Sequence, residues 1–180
     1  TAFESAVSNG FGYCRILLEW DSPDSFDQKI VVSRIRNPFT VYLDPLHKEP
    51  DGSDCKWQFV SEMMPREEFE DEYPDADPIS WTEAGFGDDM KSWVTQHELR
   101  IAEKFELEIE KRKLIQLING HTGWFDELDE SAKRLEIVNE RWADYPKIMW
   151  YKMTAKEILV EQEWPGICMP IVKFIGNEID

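Results

Sequence analysis

The segment Ile30–Pro45 constrains this chain more than any other. Ile30-Val31-Val32-Ser33-Arg34-Ile35 is dense in β-branched residues, and Thr40-Val41-Tyr42-Leu43 repeats that character. Both runs suit a pleated surface. Between them, Asn37-Pro38 interrupts continuous pairing, because proline fixes φ and offers no N–H to a ladder. Asp44-Pro45 ends the second run in the same way. Two strands meeting at a corner are expected, with the flanking segments as their pairing partners. Nothing in the stretch is a residue type that catalysis demands, so a scaffold is the first expectation.

The remaining chain reads mostly as strands separated by turn chemistry. A short helical start, Thr1–Val7, is broken at Ser8-Asn9-Gly10. Gly12–Trp20 reads as a strand with apolar residues on both faces, which implies burial on both sides or a bulge. Asp21-Ser22-Pro23-Asp24 and Pro50-Asp51-Gly52 are turns. Cys55–Met63 reads as a strand with Cys55, Trp57, Phe59 and Ser61 on one face. Pro65–Pro74 is a short helix: proline suits a first turn, acids suit the N-terminal half, and Pro74 stops it. Phe69 and Tyr73 form its buried edge. Residues 75–92 read as a mobile loop.

Trp93–Leu117 sets propensity against pattern. Its Glu, Lys and Leu favour helix, yet Leu99, Ile101, Phe105, Leu107 and Ile109 fall on odd positions. That period of two predicts a long strand, with Arg112–Ile118 returning as its partner before Asn119-Gly120. Leu128, Ala132, Leu135, Val138 and Trp142 recur at offsets of four, three, three and four. They predict a helix over about 126–143, capped by Asp126. Lys147–Met153 and Glu157–Gln162 then form a hairpin, Trp164-Pro165-Gly166 breaks it, and Met169–Phe174 is a last strand. The expected fold is α+β: mostly antiparallel β-sheet, one well-defined helix (about 126–143) and short additional helices, in a single domain spanning 1–180.

Composition limits the function classes. At 42% hydrophobic and 32% charged residues, the chain is globular rather than disordered. Its eight tryptophans and ten phenylalanines need a large core or an interaction surface. The net charge of −17 repels phosphate backbones and argues against tight, sequence-independent nucleic-acid binding. No apolar run approaches the roughly 20 residues that span a bilayer, so no membrane partner is expected. Cys14, Cys55 and Cys168 are odd in number and unpaired in spacing; buried, reduced thiols are expected. The chain begins at Thr1 and stops at Asp180, which reads as a piece of a longer polypeptide.

Candidate chemistry is sparse. Acidic residues and aromatics could serve sugar cleavage, but no carboxylate pair stands out in an apolar setting. Asp44, Asp51 and Asp54 could gather a calcium ion, yet the spacing is not that of an EF-hand, and Asp51-Gly52-Ser53-Asp54 is better read as a self-bonded turn. His47, His97 and His121 lack a histidine or cysteine three or four residues away, so a zinc site would need distant ligands. Asn119-Gly120-His121-Thr122-Gly123 is a turn rather than a phosphate cradle. Lys111-Arg112-Lys113 follows Glu106, Glu108 and Glu110 and reads as a strand-to-strand or subunit salt contact. No catalytic, cofactor-binding or metal-binding residue is assigned.

The order of these pieces is more telling. Gly10-Phe11-Gly12-Tyr13-Cys14-Arg15-Ile16 precedes Ile35-Arg36-Asn37-Pro38-Phe39-Thr40-Val41-Tyr42-Leu43-Asp44-Pro45. Asp51-Gly52-Ser53-Asp54-Cys55-Lys56-Trp57 follows, and Trp164-Pro165-Gly166 stands before Met169-Pro170-Ile171-Val172. From about Gly10 to Ile175 this resembles the portal proteins of tailed bacteriophages, especially the short-tailed, podovirus-type group. The resemblance implies a structural, non-enzymatic subunit of a homo-oligomeric ring, usually of twelve copies, at one capsid vertex of a phage or prophage virion. Such a ring is the channel for DNA packaging and ejection. It docks the terminase packaging motor and later the tail-adaptor proteins, and it sits among capsid proteins. Double-stranded DNA would pass without tight binding by this segment. The same resemblance makes this chain the outer wing region, with stem and clip following Asp180, assembled in the bacterial host cytoplasm. The shared motifs are structural, so no contact residue carries over. In other function classes, an acidic Trp-rich carbohydrate-active or metal-dependent hydrolase, or a generic protein-interaction module, fits the composition.

Overall fold

A computed structural model describes residues 2–76, 98–130 and 136–176 of the chain. The elements in order are α1 (Ala2–Asn9), β1 (Phe11–Trp20), β2 (Gln28–Arg34), a 3-10 turn (Pro38–Thr40), β3 (Val41–Leu43), β4 (Trp57–Pro65) and α2 (Arg66–Glu72). Then follow β5 (Glu98–Leu117), β6 (Thr122–Trp124), a second 3-10 turn (Phe125–Glu127), β7 (Ile137–Met153), β8 (Ile158–Glu163) and β9 (Ile171–Ile175). The result is the expected α+β fold dominated by antiparallel sheet. Among the described residues no helix is long and apolar enough to cross a membrane.

The strands form one sheet in the order β2-β1-β9 and another in the order β3-β4-β5-β7-β8, with β6 paired to β5. By contacts the chain falls into two compact units, Thr1–Leu107 with Ile148–Asp180, and Glu108–Lys147. In the first unit the Asn37-Pro38 corner is where the chain leaves one sheet for the other. β2 pairs back to β1, while β3 pairs forward to β4. The corner is locally fixed: the Phe39 N–H donates to Asn37 Oδ1 (3.0 Å), and the Thr40 hydroxyl donates to the Asn37 carbonyl (2.9 Å). The core of this unit gathers Tyr13, Ile35, Val41, Val60, Phe105, Ile148, Met169 and Ile171. A smaller cluster puts Phe69 of α2 on Leu99 and Ile101, as the Phe69/Tyr73 spacing predicts.

β1 is buried on both faces only around Gly12–Cys14, because α1 lies against that end. A Cβ at Gly12 would sit 2.2 Å from the Ala2 carbonyl oxygen, and one at Gly176 would sit 2.2 Å from the Ala6 carbonyl oxygen. Two glycines thus let the α1 backbone approach the sheet more closely than any side chain permits.

Four expectations need correction. The helix over about 126–143 is not formed in its described part: Ile137–Met153 is strand, and Phe125–Glu127 is a single 3-10 turn. Val138 and Trp142 of the supposed stripe are 55% and 68% exposed, so that end of the stripe faces solvent. Pairing with β5 wins instead, through Ile118 N–H to the Glu136 carbonyl (3.0 Å) and the Asn139 amide to Gln116 (2.9 Å). Long-range pairing overrides a locally helical period. Second, β5 is one strand, and Arg112–Ile118 is its continuation rather than its partner. The reversal comes at Asn119-Gly120, where Gly120 adopts φ +84°, and β6 returns with Leu114 opposite Trp124. Third, the strand expected over Cys55–Met63 runs Trp57–Pro65, with Cys55 in the turn before it; Trp57, Phe59 and Ser61 share a face as expected, and Gln58 and Val60 are buried on the other. Fourth, Cys168 is exposed in the irregular run before β9, although Cys14 and Cys55 are buried as expected and all three are free. Residues 77–92 of the expected loop and Trp93–His97 of the expected strand lie outside the described residues, as do positions 131–135.

Candidate functional site

The acidic loop after β3 resolves into backbone scaffolding. Asp44 accepts the N–H groups of Leu46 (2.9 Å) and Lys56 (3.3 Å), and Asp54 those of Lys48 (2.7 Å) and Glu49 (3.1 Å). Asp51 accepts the Ser53 N–H at 2.9 Å. Those donors, Lys48 for Asp54 and Ser53 for Asp51, hold both carboxyls below the ordinary aspartate range. Asp44 and Asp54 thus commit both carboxylate oxygens to the turn, and Asp51 one of its two. His47 Nδ1 lies 2.6 Å from the Asp44 carbonyl oxygen, His121 is exposed at its turn, and His97 lies outside the described residues. Among the described residues no group of three or more His, Cys, Asp or Glu is placed for a metal. Burial pushes the Cys14 and Cys55 thiols up, which makes them poor nucleophiles.

What the chain does build are two polar ties between the sheets of its larger unit, and neither is visible in the sequence pattern. In one, Arg15 of β1 reaches Glu103 of β5 with both terminal nitrogens, one contact being 2.8 Å, while the Trp150 indole N–H donates to the same carboxylate at 2.7 Å. Arg15 also lies 5.5 Å over the Phe105 ring. In the other, the fully buried Gln58 side chain acts as a piece of strand. Its amide nitrogen donates to the Ile171 carbonyl (2.8 Å), and its oxygen accepts the Ile171 N–H (3.0 Å). A bidentate ion pair and a bidentate amide fix geometry more strictly than apolar contact can.

In the second unit the expected salt contact of Lys111–Lys113 is present in part. Arg112 pairs with Asp126 (3.2 Å) and Glu127 (2.9 Å), and it stacks 4.6 Å over Tyr145 and 5.3 Å over Trp124. Lys113 meets Glu140 at 2.7 Å, and Lys147 meets Glu108 at 3.1 Å.

The candidate site is therefore a surface rather than a cleft with chemistry. On the face of β1 and β2 turned away from the core, Ile16 lies opposite Val32 and Leu18 opposite Ile30. Ile30 is 72% exposed and Val32 67%. Beside them, Ile16, Leu18 and Ile30 share a groove of about 270 Å3 with the Trp164–Pro170 segment. Contiguous exposed apolar surface of this kind marks protein contact. The β-branched density of Ile30–Ile35 marks a strand without marking its exposure, since it reads equally well as core. Comparison with known proteins adds the decisive finding. The family model described as phage P22-like portal protein matches residues 1–180. None of the curated proteins compared with the chain matches it.

Proposed function

The chain belongs to the phage P22-like portal protein family, and from that premise we propose that it is the wing segment of a portal ring subunit, one domain made of both compact units. In this reading its copies form a ring, usually of twelve, at a single capsid vertex. The ring carries DNA inward during packaging and outward on ejection, and docks first the terminase motor and then tail-adaptor proteins. The segment acts by geometry and without catalysis. Its place is the virion, after assembly in the host cytoplasm.

The observation that carries the reading is the family match over the full 180 residues. The physical features agree with it. The polar ties Arg15–Glu103 and Gln58–Ile171 specify how two sheets meet, which a ring subunit needs if small errors are not to accumulate around the circle. A net charge of −17 keeps passing DNA from adhering. The test is electron microscopy of the full-length protein, which is expected to show rings with a central hole. Monomers under every condition would contradict the proposal.

A further inference from the structure

The four strands that end the two sheet orders, β2, β9, β3 and β8, differ in how they meet solvent. β3 has three residues and follows the Pro38 turn. β9 is blocked in part, because its Lys173 N–H donates to the Asp51 carbonyl at 3.1 Å. Short strands, nearby proline and covering loops are how sheet edges avoid unwanted pairing. β2 and β8 lack these devices: they have seven and six residues, contain no proline, and pair on one side only among the described residues.

The backbone directions follow from the hydrogen bonds at their ends. The Ile35 N–H donates to the Tyr13 carbonyl (3.3 Å). In an antiparallel ladder bonding alternates, so Lys29, Val31 and Ser33 bond β1, and the N–H and C=O groups of Ile30, Val32 and Arg34 face outward. Likewise the Trp164 N–H donates to the Ile148 carbonyl (2.7 Å), which turns the backbone groups of Glu161 and Glu163 away from β7.

Charge separates the two edges. From Gln28 to Leu43 the chain carries Lys29, Arg34 and Arg36 and no acid, in a protein of net charge −17. β8 carries Glu161 and Glu163 and no base. We propose that β2 of one copy adds antiparallel to β8 of a second copy, continuing a sheet across the subunit contact; the inference rests on the ring reading given above. A register that sets Arg34 opposite Glu161 sets Val32 opposite Glu163, satisfies the outward backbone groups of these four residues and leaves Glu163 diagonal to Arg34. It also gives Val32 a neighbouring strand, while Ile30 falls opposite Pro165, just past the end of β8. Like edges repel, β2 against β2 and β8 against β8. The contact is therefore head-to-tail, the kind that closes into rings.

The test uses the full-length protein, with assembly followed by mass photometry against concentration. Val32→Pro removes an outward N–H without deleting a bond to β1, while Arg34→Glu and Glu161→Lys each place like charges across the contact. Each variant is expected to need at least about tenfold more protein to assemble, with unchanged circular dichroism. The double variant Arg34→Glu/Glu161→Lys is expected to regain wild-type assembly. If Val32→Pro fails to fold, the charge variants decide: Arg34 also contacts Glu4 (3.8 Å) and Ser5 (3.2 Å) within its own copy, so Glu161→Lys alone, and its rescue in the double variant, carry the comparison. Wild-type rings indifferent to these changes, or a double variant no better than the singles, overturn the edge pairing and leave the ring reading intact. A wild-type protein that never assembles overturns both.

Discussion

Both compact units are built from long antiparallel strands, yet they are held by different forces. The larger unit contains both hydrophobic clusters, around Phe105 and around Phe69, together with the buried Gln58 and the Arg15–Glu103 pair. In Glu108–Lys147 the named contacts are charge pairs and an arginine stacked on aromatic rings, with Ile109, Ile118, Val138 and Trp142 exposed. Among the described residues there, Ile115 and Leu117 are buried apolar side chains. A region tied by buried groups unfolds as a whole, whereas one tied by surface pairs opens locally and at lower cost. Changes in the first unit should therefore act globally, and changes in the second should stay confined to it.

The largest effect is expected from Phe105→Ala. It deletes a fully buried ring that meets Trp164 edge-on at 5.2 Å, and should cost about 3–5 kcal/mol, read by chemical denaturation. Gln58→Leu keeps the volume but strands the buried N–H and C=O of Ile171, for about 2–4 kcal/mol. A loss below 0.5 kcal/mol, as an order-of-magnitude threshold, would show that the amide only fills space. Glu103→Gln leaves Arg15 without a counter-charge in a largely covered position and should cost about 2 kcal/mol. Arg112→Ala is the contrasting case. Hydrogen exchange should quicken in residues 108–130 and 136–147 while the amides of β1, β4 and β9 stay protected. Equal loosening in both units would break the comparison.

How much of this was legible in the sequence depends on where the determining partner lies. Turns written into neighbouring residues were readable: Asn37-Pro38, Pro50-Asp51-Gly52, the α2 helix between its prolines, and the 154–156 hairpin link. The period of two in β5 was readable because its alternation buries Leu99, Ile101 and Phe105. The run Leu128–Trp142 misled because helical offsets arose in a segment whose fate is set by β5. Arg15 and Glu103 lie 88 residues apart, and Gln58 and Ile171 lie 113 apart. No local pattern links them. Nor could composition separate Ile30 and Val32, which are exposed, from Val41 and Val60, which are core.

The smallest expected effect concerns pH. Asp51 and Asp54 have folded-state pKa values below their unfolded ones. Their contribution is thus present above the unfolded value, about 3.9, and is lost as pH falls through the lower folded value. Asp54→Asn should lower stability slightly at neutral pH, where that contribution is present, and so flatten the acid limb, leaving stability below the folded pKa unchanged. An acid limb as steep as that of the wild type, or a loss confined to low pH, would contradict the loop's role.

The central claim, that this chain is the wing of a portal ring, is tested most directly by a cryo-electron microscopy reconstruction of the full-length assembly. The account predicts a closed ring with residues 1–180 on its outer circumference, away from the channel. A ring whose channel is lined by β1 and β2 of this segment, or no ring at all, would contradict it.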